Sequence, residues 1–448
     1  MSSRKAIIWS LLAGYLLLPV NTGFDAPGIP NMDKTLIPNL SVLLCALIFA
    51  KHKVFSIPKN AVLIGLMVLY VASPFLTTFS NREPLLLSVS ALPGMTFYDG
   101  IALSVRQMIE LIPFMIAFSA FKTEADIREI LKALVLAALA YSVLIMWEVR
   151  MSPQLHTQIY GFFPHSFGQQ MRAGGFRAVV FLGHGLIVAI FVAMALIAAI
   201  GLWRDRVKIK GMHGFAYTGI LIFVVIISKS FGALLLAIFI GTATYLLKYR
   251  RLVTILAISG LVIIAYPAFR GAGIIPVDRF AAITADYSED RAGSFQTRID
   301  NEEKMLEKSE RKPFFGWGTW GRGRVYTTDW QGNDLDTTIT DGTWIIVISS
   351  FGWIGYIACF GLLAYPTFRA LRYRRQFSQS GPCVVLLAVL IINLFDLLPN
   401  ASLSPLTWLI AGALSGYQIS PYRKKKSAIS KSASTQIADT TQKSRVTA

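Results

Sequence analysis

The chain has 448 residues, of which 54% are hydrophobic and only 15% charged, and its mean hydropathy is +0.54. That composition excludes an ordinary soluble globular protein and a disordered one, and points to a chain embedded in a membrane. The net charge of +18 then calls for a topological explanation before a nucleic-acid one, because basic residues collect in the cytoplasmic loops of membrane proteins.

A helix needs about 20 mostly apolar residues to cross a hydrocarbon layer of about 30 Å, and lipid-facing backbone must satisfy its own hydrogen bonds. The recurring apolar runs therefore predict an all-α polytopic integral membrane protein with about twelve transmembrane helices. In chain order the spans fall near residues 6–20, 36–50, 60–79, 99–121, 131–148, 178–202, 215–228, 231–247, 252–268, 343–366, 382–400 and 402–419. The organisation expected is nine spans within 1–268, a large loop subdomain over 269–342, three spans within 343–419 and a disordered basic tail over 420–448. Residues 1–20 have the charged start and apolar core of a signal peptide, but Val20-Asn21-Thr22-Gly23 lacks small-x-small cleavage logic, so the segment reads as the first span. Spans seven and eight are divided only by Ser228-Lys229-Ser230.

Twelve spans put both termini on one side. Assigning the termini, Lys51-His52-Lys53, Lys59, Lys122 to Lys132, Arg204 to Lys210, Lys248 to Arg251 and Arg369 to Arg375 to the cytoplasm collects nineteen Lys/Arg before the tail. The opposite short loops and helix ends hold seven, namely Lys34, Arg82, Arg106, Arg150, Arg172, Arg177 and Lys229. The positive-inside rule then places the termini in the cytoplasm and the large loop outside, as in a multi-pass protein of a bacterial inner membrane. The tail, with Arg423-Lys424-Lys425-Lys426, is expected to meet anionic lipid and no nucleic acid. Cys45, Cys359 and Cys383 all fall within predicted spans and imply neither a disulfide framework nor a zinc site.

The 269–342 loop carries ten Lys/Arg and thirteen Asp/Glu together with Phe314, Phe315, Trp317, Trp320, Tyr326 and Trp330, so it reads as a folded subdomain. Ser294 to Ser309 predicts a polar helix with Ser294 as N-cap, Phe295, Ile299 and Leu306 on one stripe, and Pro313 beyond its end. The glycines of Phe314-Phe315-Gly316-Trp317-Gly318-Thr319-Trp320-Gly321 permit close backbone approach or positive φ. Gly316-x-Gly318-x-x-Gly321 matches a dinucleotide fingerprint by letter, but neither a preceding strand nor a crossover unit supports it. Asp334-Leu335-Asp336 matches a metal-binding Asp-x-Asp, yet beside Gly332-Asn333 it reads as an acidic turn.

Ionisable residues inside spans cost about 2.5–3.5 kcal/mol each at a helix centre and face a partner or a cavity. Arg106 and Glu110 stand four apart and stack on one helical face, as a packing pair or a cavity ion pair. Asp396, Asn393 and Asn400 form a polar stripe. At the entrance to the sixth span, Arg177 and His184 are seven apart, which on a helix puts both on one face with His184 about 10 Å deeper. With Arg172, Lys229 and the loop residues Arg291 and Arg298 on the same side of the membrane, the basic groups suggest an anion site; a snorkelling arginine and a packed histidine are the bland alternative. The spacing of Arg291 and Arg298 matters only if the loop helix runs back through Ala292-Gly293, which the glycine argues against.

Three local patterns resemble the O-antigen ligase and O-antigen or exopolysaccharide polymerase family of bacterial membrane proteins. Arg172 to Gly185 looks like its arginine-containing entry to a mid-chain span; Ser230-Phe231-Gly232-Ala233-Leu234-Leu235 looks like its Ser-Arg-Gly-Ala-Leu element, with Phe231 where arginine is usual; and Thr297-Arg298, Pro313-Phe314-Phe315-Gly316-Trp317-Gly318, Asp341-Gly342-Thr343-Trp344 and Phe351-Gly352-Trp353-Ile354-Gly355 look like the end of its large loop and the following span. The resemblance implies a GT-C-type glycosyltransferase architecture and a metal-independent, cofactor-free transfer of glycan from undecaprenyl diphosphate onto an acceptor glycan hydroxyl at the periplasmic face.

In that reading Arg172, Arg177, Arg298, Lys229 (replacing the arginine missing at 231) and Arg291 bind the diphosphate. Asp341 occupies the approximate place of a histidine that ligases carry at the end of the loop. It either orients or deprotonates the acceptor hydroxyl, as a catalytic residue with Arg298, or caps the tenth helix, and the role of His184 stays open. The missing loop histidine favours a polymerase acting beside a flippase and a chain-length regulator. A ligase transferring to lipid A-core is one alternative. A lipid-linked glycan flippase is another, although residues 1–210 and 211–420 show no internal similarity.

Overall fold

The computed structural model describes residues 3–26, 29–49, 55–172, 174–276 and 289–419. The predicted basic tail and the Lys51-His52-Lys53 turn lie outside these residues, as do the side chains at 289–292, 294 and 295. Each of the twelve predicted apolar segments holds a helix. They are α1 (Ser3–Leu17), α2 (Leu36–Phe49), α3 (Ala61–Phe79), α4 (Phe97–Ala120), α5 (Glu124–Met151), α7 (Gly185–Arg204), α8 (Gly214–Ile227), α9 (Phe231–Leu246), α10 (Tyr249–Gly271), α12 (Thr343–Arg372), α14 (Gly381–Asp396) and α15 (Pro405–Gly416). The short helices α6 (Leu155–Tyr160) and α13 (Arg374–Phe377) and the loop helix α11 (Glu289–Glu310) complete the set among the described residues. Six of these, α3, α4, α5, α7, α10 and α12, are long and apolar enough to cross a membrane.

The starts are written locally. Thr96 with Asp99, Thr123 with Asp126 and Ser404 with Thr407 form capping boxes that satisfy the first free amides of α4, α5 and α15. Helices α14 and α15 are buried on every side, which their all-round apolar sequences require, and α7 is almost as enclosed. Gly412 and Gly416, one turn apart on α15, lie on the backbone of Phe114 and Phe118, where any β-carbon would overlap a carbonyl. This small-xxx-small contact lets α4 and α15 pack closely.

Three predicted helices differ. The run read as a helix from 178 begins only at Gly185, and residues 177–184 are an irregular segment with Val180 at φ 48° and Gly183 at φ 85°. Helix α12 is broken at Gly352 (φ 65°, ψ −169°), so its first turns, Thr343 to Phe351, are a separate helical segment. The helix of the large loop runs from Glu289, so Ser294 lies inside it and does not cap it, and Ala292-Gly293 does not interrupt it.

The break in α12 receives the large loop. Gly316 (φ 67°) faces the Gly352 backbone, where a β-carbon would stand 2.6 Å from the Gly352 nitrogen, while Trp317 and Gly318 donate to the Ser349 and Ser350 carbonyls at 2.8 and 2.9 Å. Two hairpins cover this seat, β3–β4 (Leu85–Leu86 with Ala91–Leu92) and β7–β8 (Tyr326–Thr328 with Asp334–Asp336). Asp334 accepts the amides of Ser88, Val89 and Ser90, Asp336 pairs with Arg324 at 2.6 Å, and the buried Arg322 donates to the carbonyls of Glu83 and Pro93. Both carboxylates of the Asp-x-Asp are thus engaged by the protein itself.

Candidate functional site

The irregular 177–184 segment is held at many of its backbone groups. Arg177 donates its amide to Gln170, Val179 and Val180 donate to the Glu148 carboxylate at 2.8 and 2.7 Å, and Phe181 donates to the Tyr141 hydroxyl at 3.0 Å. From the other side, the half-buried Lys34 ammonium donates to the carbonyls of Phe181 (2.6 Å) and Leu18. Burial of Lys34 pushes its amine down to about 7. Non-helical backbone enclosed in a membrane protein is tolerated only where it is so satisfied, and it commonly borders a binding cavity.

The segment delivers Arg177 and His184 to one place by a route other than the shared helical face predicted for them. Arg177 is 8% exposed, and its aliphatic stem lies on Gly185, where a β-carbon would overlap it. Its Nη2 donates to the Lys229 carbonyl at 3.0 Å, whereas its Nε is buried without a partner. Lys229, held at φ 51° between α8 and α9, donates in turn to the Arg172 carbonyl at 3.1 Å. Arg172 is exposed on the small hairpin β5–β6 (Met171–Arg172 with Gly175–Phe176). Burial and the charges of Arg172 and Arg298 push Arg177 down to about 10, so it stays cationic at neutral pH.

His184 caps α7 with its imidazole, Nδ1 accepting the Leu186 amide at 3.1 Å. That bond leaves the neutral ring with its proton on Nε2, as a donor and not a base. Burial, His165 (ring centroids 4.8 Å apart), Arg177, Arg298 and Arg172 push it down to about 4. A histidine near 6.5 when unfolded and about 4 when folded contributes stability that is full above pH 6.5 and is lost as pH falls toward 4. Thermal unfolding between pH 7 and pH 4 should therefore show a decline that His184→Asn, which keeps a capping oxygen, reduces. An unchanged slope would remove His184 as its source.

Arg298, on α11, pairs with Asp341 at 3.2 Å. Ile339 donates its amide to Asn301, and Thr343 donates to the carbonyls of Leu397 and Asn400, so the end of the loop is fastened to both α11 and the end of α14. The N-cap of α12 is Gly342, and the Asp341 carboxylate goes to Arg298 instead. Arg298 also lies within electrostatic reach of Glu302, one turn along α11, and of buried Asp396, which accepts from Asn400 (2.7 Å) and Ser402 (2.6 Å). Burial pushes Glu302 up, against the opposing charges of Arg270 and Arg298.

The cations therefore fall into two kinds. Arg298 is surrounded by carboxylates, while among the described residues Arg172, Arg177 and Lys229 have none within ion-pair distance. Arg298 nonetheless lies near enough for its charge to act on both Arg177 and His184. The side chain of Arg291 lies outside the described residues. Arg106 and Glu110 do pair, at 3.1 Å, but Arg106 is also bound by Asp33 at 3.0 Å and Glu110 by the Tyr70 hydroxyl at 2.9 Å, which makes a closed network on α3, α4 and β2 (Ile29–Asp33).

Sequence reasoning missed Asp33, Lys34, Glu148 and His165. Asp33 meets Arg106 73 residues away, Lys34 meets Phe181 147 away, Glu148 meets Val179 31 away and His165 faces His184 19 away, and only the high cost of burying Glu148 in an apolar run marked any of them in advance. Among the described residues, no group of three or more His, Cys, Asp or Glu is placed to hold a metal ion. No protein-family model and no curated protein matches the chain.

Proposed function

We propose that the chain is a polysaccharide polymerase that transfers glycan from undecaprenyl-diphosphate-linked repeat units onto an acceptor sugar hydroxyl. The observation that carries the reading is the group of Arg172, Arg177 and Lys229 at the start of α7, with no carboxylate within ion-pair distance among the described residues and with a buried guanidinium N–H unpartnered. Such a group suits a diphosphate: guanidinium forks pair with phosphate oxygens, the helix start adds partial positive charge, and enclosure strengthens both. In this reading all twelve apolar helices span the membrane in a GT-C-type arrangement. The basic loops face the cytoplasm, and the large loop lies in the periplasm.

The acceptor oxygen attacks the anomeric carbon of the lipid-linked glycan, and the bond from that carbon to the diphosphate oxygen breaks. The electron pair leaves with undecaprenyl diphosphate, whose charge the arginines hold. The hydroxyl proton passes to Asp341, which Arg298 releases when its guanidinium turns to the diphosphate, and from there to water. His184 donates its Nε2 proton as a hydrogen bond to a phosphate oxygen.

The purified protein, given lipid-linked oligosaccharide in the presence of a chelator, should yield a ladder of lengthened glycans. Absence of any product where a known polymerase works would overturn the reading. A single addition to lipid A-core would make the protein a ligase. Transport across a vesicle without bond formation would make it a flippase.

A further inference from the structure

Glu148 stands in the last turn of α5 with no solvent exposure. Oε2 accepts the amides of Val179 (2.8 Å) and Val180 (2.7 Å), and Oε1 accepts the amide of Leu155 (3.0 Å) at the start of α6. Among the described residues no cation pairs with it. A buried carboxylate without a counter-charge is expensive unless hydrogen bonds replace its water, and here three main-chain donors do so. An apolar side chain in its place would leave those three amides unsatisfied in the interior.

What the carboxylate holds is a strained turn. Val180 has φ 48°, a left-handed conformation that a β-branched residue avoids. The amide next along is fixed by Tyr141 and the carbonyl after it by Lys34. Arg177 lies two residues before the first amide that Glu148 accepts, and its stem must pass over Gly185, so its aim depends on where the turn puts the chain.

We propose that Glu148 is a positioning residue for the diphosphate site. It fixes the Val179–Val180 turn and thereby aims the Arg177 guanidinium. The inference rests on the diphosphate reading above.

The test is a double-mutant cycle on the purified full chain, with inorganic pyrophosphate as the probe and calorimetry as the readout. Glu148→Gln keeps the size but sets an amide group against backbone donors. It should weaken pyrophosphate at least tenfold in the native background and equally in Arg298→Ala, but should have little effect in Arg177→Ala, where the remaining cations still give measurable affinity. Adding Val180→Gly, which takes the turn without strain, should restore part of the loss. If Glu148→Gln does not fold, Glu148→Asp, whose shorter arm reaches fewer of the amides, is put through the same cycle. An unchanged affinity, or an equal loss in all three backgrounds, overturns the positioning role. Failure of the native protein to bind pyrophosphate overturns the diphosphate reading itself, a distinct result because it appears before any substitution is made.

Discussion

Arg177→Ala is expected to lower turnover of lipid-linked glycan by about 10²–10³-fold, the loss typical when one preorganised donor to a developing oxyanion is removed. The thermal unfolding midpoint should hold or rise. In the resting protein Arg177 is a buried cation with like charges around it and one N–H unpartnered, so it detracts from stability while serving the site. Arg177→Lys should recover only part of the rate, because an ammonium lacks the planar fork. A loss of activity matched by a fall in the unfolding midpoint would make Arg177 a structural residue. Arg298→Ala should also abolish product with insertion intact, but it leaves Asp341 without its counter-charge, so its stability should move differently.

The second large effect is structural. Gly352→Ala places a side chain in a backbone conformation that is essentially restricted to glycine, directly against the Phe314 backbone. A cost of at least about 3 kcal/mol is expected, from strain of about 1–3 kcal/mol with the overlap added. The loop from Lys312 to Gly323 should lose its seat on α12, and limited proteolysis there would report it. Unchanged protection would mean that the loop is held by the hairpins alone.

Helices were legible in this chain because an apolar run long enough to cross a bilayer has few other uses. The same rule misread residues 178–184: Ala178 to Leu182 are apolar because they are buried, and burial does not distinguish a helix from a pinned irregular strand. Gly183-His184-Gly185, with a side-chain cap between two glycines, was the local sign of a helix starting late. The glycines of the Gly/Trp loop were read correctly, since Gly316, Gly318 and Gly321 all have positive φ. The fit of Gly316 into a broken α12 was not legible, because Phe351-Gly352-Trp353 looks like the middle of any apolar helix.

The candidate cations could be named because several basic residues fall on the one side of the predicted membrane that is otherwise poor in them. What distinguishes them was not legible. That Arg298 pairs with an acid while Arg177 donates to a carbonyl depends on contacts across 43 residues to Asp341 and 52 to Lys229. No local pattern encodes such contacts.

The hairpin cover also bears on the order in which the protein is made. The amides of Ser88 to Ser90 wait for Asp334, 244 to 246 residues later, and the carbonyls of Glu83 and Pro93 wait for Arg322, 239 and 229 residues later. At about 5–20 residues per second the interval is on the order of tens of seconds, during which the early hairpin exists without its partner. The nascent chain thus passes through a long half-assembled stage in which its first helices have been made and the hairpin cover does not yet exist.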